Sequence, residues 1–345
     1  MASLYGISKG AACDYKTGHA GGTWYASASG SGGGASSGDP ASLSGALASS
    51  ACGSTIRLAT GTYTGSVEVG ASRVVMADTA QTITATGLFA VPLGSGTVRL
   101  GGVDATSAVG HGLGQDPIIL KPTGFAGDGT KMGLIYLHGA TGTARQMVDG
   151  VTFAALKAIL LAVAAAGYPV LGVTTGDTWG NDTAMSKIDA AKTYLQGTIG
   201  AKAGAIGLIG GSMGGANMLN WAKRNLASTA CAVGLVPVSN ITDMHTNNRG
   251  GLTTNINAAY GTWSEATYGA SRNPVTFAAA GDLAGLKYQA WGGASDTVVL
   301  PATVSAAVTS IGGTATYTAV AGDHNTSLAN MVPADIVAFL DANQT

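Results

Sequence analysis

Charge is what this chain has least of. Lys, Arg, Asp and Glu together make up 10% of 345 residues, against about 25% in an ordinary soluble domain. The 17 basic and 18 acidic residues leave a net charge of -1. That excludes a basic groove for a nucleic-acid backbone and the self-repulsion that keeps a chain unfolded. Cysteine is also scarce. Cys13, Cys52 and Cys231 are too few for a disulfide scaffold; Cys13 and Cys52 could pair, but three free thiols is the simpler reading. Long apolar runs are missing too. The longest, residues 153–167, is interrupted by Lys157 and reads as a buried helix rather than a membrane span. The opening residues Met1 to Tyr5 carry no basic stretch leading into an apolar one, so no Sec signal peptide is expected.

Glycine fills much of the gap, with 54 residues, and hydrophobic residues reach 46%, enough for a substantial core. With so few charges the surface must be built from Ser, Thr, Gly, Asn and Ala. That points to a cell exterior or an assembled particle more than to a crowded cytoplasm. The first third differs in kind from the rest. Up to residue 126 the chain is Gly/Ser-rich, with short β-branched pieces at 55–58, 67–69, 74–76, 82–84 and 97–100 and one helical spacing, Leu43 and Leu47, within 40–49. This predicts a small all-β module, read as a docking or binding unit for oligomer or particle assembly. From Lys131 strands alternate with helices. Apolar strands are expected at 133–137, 169–174, 205–209, 230–236, 286–291 and 315–320, and helices at 150–166, 184–195, 213–225, 303–311 and 333–342. Strands that are apolar throughout are buried on both faces, so residues 127–345 should be an α/β domain with a mostly parallel sheet and helices on both sides. Residues 240–283 form an insertion over that sheet.

The sharpest motif is Gly210-Gly211-Ser212-Met213-Gly214, a G-x-S-x-G spacing. With glycine this abundant, on the order of one match is expected by chance. Context carries the weight. An apolar strand precedes the motif directly, and a helix with Ala216, Leu219 and Trp221 follows directly. A serine on such a turn is held exposed at the top of the sheet, with the helix N-terminus aimed at any anion that forms there. His138-Gly139 closes an earlier strand, where a second amide donor is needed. Ala140 or Thr141 would supply it, opposite Met213, and His138 would be structural.

A base and an acid should follow the serine in chain order. His324 lies in the loop after the last strand, and Asp296 in the loop after the strand before it. Both are positions at strand C-termini, where open α/β sheets bind ligands. Asp323 and Asp243 are rival acids. The insertion holds Tyr260, Trp263, Tyr268 and Phe277 with Asn247, Asn248, Asn255 and Asn257. Tyr260 and Trp263, together with Trp179, are candidates for the wall of a pocket for an uncharged ester, sugar-bearing or lipid-like; packing of the cap is the equal alternative. There is no G-x-G-x-x-G and no H-x-H or H-E-x-x-H spacing, so neither a nucleotide cofactor nor a metal is expected.

Together LHG at 137–139, GGSMGG at 210–215, GGASDTVV at 292–299 and GDHN at 322–325 resemble the α/β-hydrolase family, most nearly its small secreted esterases. The resemblance implies acyl-enzyme chemistry with Ser212 as nucleophile, His324 as base and Asp296 as its orienting acid. Residues 23–65 (TWYASASGSGGGASSGDPASLSGALASSACGSTIRLATGTYTG) resemble the opening of pectate-lyase-like parallel β-helix proteins, found in secreted carbohydrate-active and viral tail proteins. This resemblance implies display on a virion or cell surface. It also raises an alternative, a phage structural or adhesion protein that keeps a hydrolase fold as scaffold.

Overall fold

The computed structural model describes residues 102–108, 112–114, 117–148 and 152–344, and the backbone of six strands before them. Those strands are β1 (Thr23–Ala26), β2 (Thr55–Leu58), β3 (Thr62–Thr64), β4 (Val74–Ala77), β5 (Gln81–Thr84) and β6 (Thr97–Leu100). β1, β2 and β4 pair in parallel in one sheet, while β3, β5 and β6 pair in parallel in another. Successive strands from β2 to β5 therefore alternate between two sheets. The strand expected at 67–69 and the helix at 40–49 lie outside the described residues, as do Cys13 and Cys52.

The remaining strands are β7 (Val103–Ser107), β8 (Ile118–Pro122), β9 (Leu134–Leu137), β10 (Val170–Val173), β11 (Ile206–Gly211), β12 (Thr229–Leu235), β13 (Tyr288–Gly293) and β14 (Thr316–Val320). They lie in the order β7-β8-β10-β9-β11-β12-β13-β14. All neighbours from β10 to β14 pair in parallel, whereas β8 runs against β7 and β10, and β7 runs against β8 and β6, through which the sheet continues into β5 and β3. β7 and β8 lie upstream of the boundary expected at residue 126. They are short and share the composition of the front module, so their place in this sheet shows only in their pairing.

Helices α1 (Ala154–Ala165) and α9 (Pro333–Asn343) cover one face, and α2 (Asp182–Gly197), α3 (Met213–Arg224) and α8 (Pro301–Ile311) the other. The strands show why both faces need covering. In β9, Leu134 and Tyr136 enter the core under α1 and α9, while Ile135 and Leu137 enter the core under α2 and α3. Side chains alternate across a strand, so a strand buried on both sides must be apolar at every position. Helix starts are marked in the sequence. Asn181 caps α2 by accepting from Thr183 N–H (3.0 Å) and Ala184 N–H (3.4 Å), and Pro301 and Pro333 open α8 and α9. Among the described residues no helix is long and apolar enough to cross a membrane.

Between β12 and β13 the chain forms the cap: α4 (Ile241–Thr246), α5 (Thr253–Tyr260), α6 (Glu265–Arg272) and α7 (Pro274–Ala279).

Cys231 on β12 is fully buried, and burial pushes its thiol up from 9.0 to about 12. In protein carrying Cys13→Ser and Cys52→Ser, a thiol reagent at pH 8 should react at Cys231 only as fast as the chain opens; prompt reaction in native buffer would contradict this burial. The sign of the linkage follows. The native thiol keeps its proton where the unfolded one loses it, so its contribution to stability falls as pH rises from 9 towards 12.

Candidate active site

Ser212, Asp296 and His324 each sit just past the C-terminal end of a parallel strand, so one edge of the sheet collects them. Ser212 joins β11 to α3 at φ 50°, ψ -120°. That is a left-handed backbone which a serine adopts only at a cost of about 1–3 kcal/mol. Neighbouring backbone holds it there. Ser212 N–H donates to Leu235 C=O (3.0 Å), and Val238 N–H donates to Ser212 C=O (2.8 Å).

Glycine makes so tight a turn possible. A Cβ on Gly214 would lie 2.0 Å from the Leu137 carbonyl oxygen, and one on Gly210 would lie 2.6 Å from that of Gly214. Both obstacles are backbone, which cannot rotate aside. Gly214→Ala should cost about 3 kcal/mol by overpacking, read as a lowered urea midpoint; an unchanged midpoint would show that the turn has slack.

The serine meets both partners expected of it. Ser212 Oγ lies 3.0 Å from His324 Nε2, and His324 Nδ1 lies 2.8 Å from Asp296 Oδ2. Asp296 is buried at 3% exposure, and its Oδ1 accepts from Val298 N–H and Val299 N–H, both at 2.8 Å. With its two oxygens committed, the carboxylate can face the ring in one orientation only. The rival acids are engaged elsewhere. Asp243 is held by the Arg249 guanidinium at both oxygens, and Asp323 accepts from Asn325 N–H and Thr326 N–H and Oγ1–H in its own turn. Among the described residues no group of three His, Cys, Asp or Glu is placed to hold a metal.

Two amides flank the serine. Met213 opens α3, where the first N–H groups have no intrahelical partner. The loop after β9 comes close on the other side: a Cβ on Gly139 would lie 3.8 Å from Ser212 Oγ. Of the two donors expected from that loop, Thr141 N–H is already given to Asp177 Oδ1 (2.6 Å), so Ala140 is the remaining candidate. The backbone at Thr141 is left-handed, with φ 60°. His138 supports the loop from beneath. Its Nε2 accepts from Thr175 N–H (3.0 Å), so Nδ1 carries the proton and donates to Gly139 C=O (2.7 Å). Burial holds the ring below the usual imidazole range, so it is neutral and structural. Gly139 C=O belongs to the peptide whose N–H is that of Ala140, so the histidine fixes the plane of that donor. Thr175 is backed in turn by Asn217 of α3, whose Nδ2–H donates to Thr175 Oγ1 (3.2 Å).

Of the two readings of these aromatic residues, pocket wall or packing of the cap, their burial favours packing. Trp179 has no exposed surface and Trp263 only 5%, so in this structure they offer almost nothing to a ligand. Tyr260, half-buried, packs with Trp263 and Tyr268 at ring-centroid distances of 4.8 Å each. Their polar ends are spent inside the cap: Trp179 Nε1–H on Asn255, Tyr260 O–H on Trp179 C=O, and Trp263 Nε1–H on Thr242. Edge-on and tilted ring pairs are favourable beyond the area they bury, so Tyr260, Trp263 and Tyr268 hold one another within the cap. Asp177 and Asn217 went unread as supports of this loop, and Asn255 was read only as one of four amides in the insertion. Asp177 lies in the TTGD that follows β10, at the same sheet edge as the serine, which was the available signal.

No protein-family model matches the sequence, and no curated protein matches it. Solved structures do resemble the fold. One is an S-formylglutathione hydrolase from Agrobacterium tumefaciens, with a TM-score of 0.54 and 11% identity, covering 72% of this chain and 98% of that one. The sheet order, the helices on both faces and this likeness make the fold of α/β-hydrolase type.

Proposed function

We propose that the protein is a serine esterase acting on a carboxylic ester through an acyl-enzyme. The observation that carries the reading is the unbroken chain from Ser212 Oγ through His324 to Asp296, mounted on a left-handed elbow at a helix N-terminus. Structural similarity to a protein named as a hydrolase supports it.

The steps follow from the geometry. Ser212 O–H gives its proton to His324 Nε2 as Oγ bonds to the ester carbonyl carbon. The carbonyl oxygen becomes an oxyanion and takes hydrogen bonds from Met213 N–H and Ala140 N–H. Two such donors in a dry site contribute several kcal/mol to the transition state. The tetrahedral intermediate collapses, the C–O bond to the alcohol breaks, and His324 Nε2–H protonates the leaving oxygen. Water then repeats the sequence: it loses a proton to His324 and attacks the acyl carbon, and Oγ leaves with the proton restored. Asp296 keeps the proton of the neutral ring on Nδ1 and stabilises the imidazolium formed in each half.

The test is covalent. A fluorophosphonate should add to Ser212 of the native protein, located by peptide mass, and p-nitrophenyl acetate should be turned over. Equal turnover by Ser212→Ala protein would sink the reading.

The front strands, which alternate between a small parallel sheet and the far end of the main sheet, and the scarcity of charge support a second part of this proposal. Residues 1–126 dock the enzyme on a larger assembly at a virion or cell exterior, where the ester is carried by a polysaccharide or lipid.

A further inference from the structure

One hydrogen-bonded path joins the cap to the oxyanion loop. Trp179 Nε1–H donates to Asn255 Oδ1, and Asn255 Nδ2–H donates to Asp177 Oδ2. Asp177 Oδ1 accepts from Thr141 N–H at 2.6 Å. Two residues on this path, Thr141 and Trp179, have left-handed backbones, with φ 60° and 49°. Such conformations persist only where the surroundings hold them. Asn255 belongs to α5 of the cap and lies 78 residues from Asp177 in sequence, so the link is made only when the cap is seated.

We propose that Asn255 is a positioning residue for the oxyanion hole. Through Asp177 it fixes Thr141 and so holds from the cap side the Ala140 amide whose plane His138 sets from beneath, so that the second donor is fully held only while the cap is seated on the sheet. This rests on the esterase reading given above. The cap is then a condition for catalysis as well as a wall. Without Asn255 the Asp177 carboxylate loses its anchor on the cap, and the loop can relax out of its left-handed turn at Thr141. Removing one oxyanion donor outright costs about 10²–10³ in turnover, so a displaced donor should cost about tenfold or more.

Two variants separate the parts. Asn255→Asp keeps an oxygen for Trp179 Nε1–H but sets a carboxylate against Asp177. Asn255→Ala removes both bonds and leaves a good helix former in α5. In ligand-free protein, amide hydrogen exchange across residues 139–142 should quicken by about tenfold or more in both variants, while exchange in β11, at Leu208, stays at the wild-type rate and reports an intact core. Turnover kcat should fall with KM little changed. Affinity for a trifluoromethyl ketone, which forms the tetrahedral oxyanion on serine, should fall in the same ratio as kcat/KM. Unchanged exchange at 139–142 overturns the proposal, and so does faster exchange with unaltered kcat and ketone affinity. If wild-type protein neither turns over esters nor takes up the ketone, the esterase reading is what fails, and the exchange comparison still decides whether the cap holds the loop.

Discussion

Ser212→Ala should lower kcat/KM for a small ester by about 10⁶-fold, with the fold intact. Removing Oγ deletes the atom that bonds to the acyl carbon, so His324 and Asp296 are left with no group to activate. What survives is the background from two amides and bound geometry, about 10³–10⁴ over water. The same position makes a second, opposite expectation. Ser212 sits at φ 50°, ψ -120°, which glycine adopts freely and serine only under strain. Ser212→Gly should therefore be as inactive as the alanine variant yet about 1 kcal/mol more stable by denaturant melting. Loss of activity with gain of stability separates a strained functional residue from a merely structural one. A Ser212→Gly protein that melted earlier would mean that the hydroxyl stabilises the turn, and the strain argument would be lost.

Much of this was legible because the sheet imposes its grammar locally. Strands β9 to β12 are apolar and buried along nearly their whole length, and every helix from α1 to α3 carries an apolar stripe; the edge strand β14, expected to be buried on both faces, is Thr-Tyr-Thr-Ala-Val and mostly exposed, because no described strand pairs beyond it in the sheet. The expected and observed elements there agree to within a few residues. Ser212, His324 and Asp296 could be placed because each follows a strand end, and strand ends lie on one edge of a parallel sheet. Where the reading ran out, the missing information was long-range. β7 and β8 look like front-module strands until β8 pairs with β10. Ala140 and Thr141 are adjacent amides with equal claims, and the choice is made by Asp177, 36 residues away. Trp179, Tyr260 and Trp263 are aromatic residues in a cap, and no spacing says whether the rings face an opening or each other. Asp243 is the exception. Its partner Arg249 is only six residues on, and that local pairing could have retired it as the acid from sequence alone.

Asp296→Asn should lower kcat/KM by about 10⁴-fold while leaving the loop in place. Val298 N–H and Val299 N–H both donate to Oδ1, so an asparagine must turn its carbonyl oxygen towards them to avoid setting NH₂ against two donors. Its NH₂ then occupies the place of Oδ2 and faces His324 Nδ1. A donor there forces Nδ1 to accept and moves the ring proton to Nε2. The nitrogen 3.0 Å from Ser212 Oγ would then already carry a hydrogen and could not take one from the serine. The change removes a charge without removing a shape, and the loop caps survive, so the thermal midpoint should move little. Stopped-assay turnover and the fluorophosphonate labelling rate should fall together, because both begin with the same proton transfer. A loss below about tenfold would mean that the ring finds its working tautomer without the carboxylate, and Asp296 would then be a loop cap that happens to touch His324.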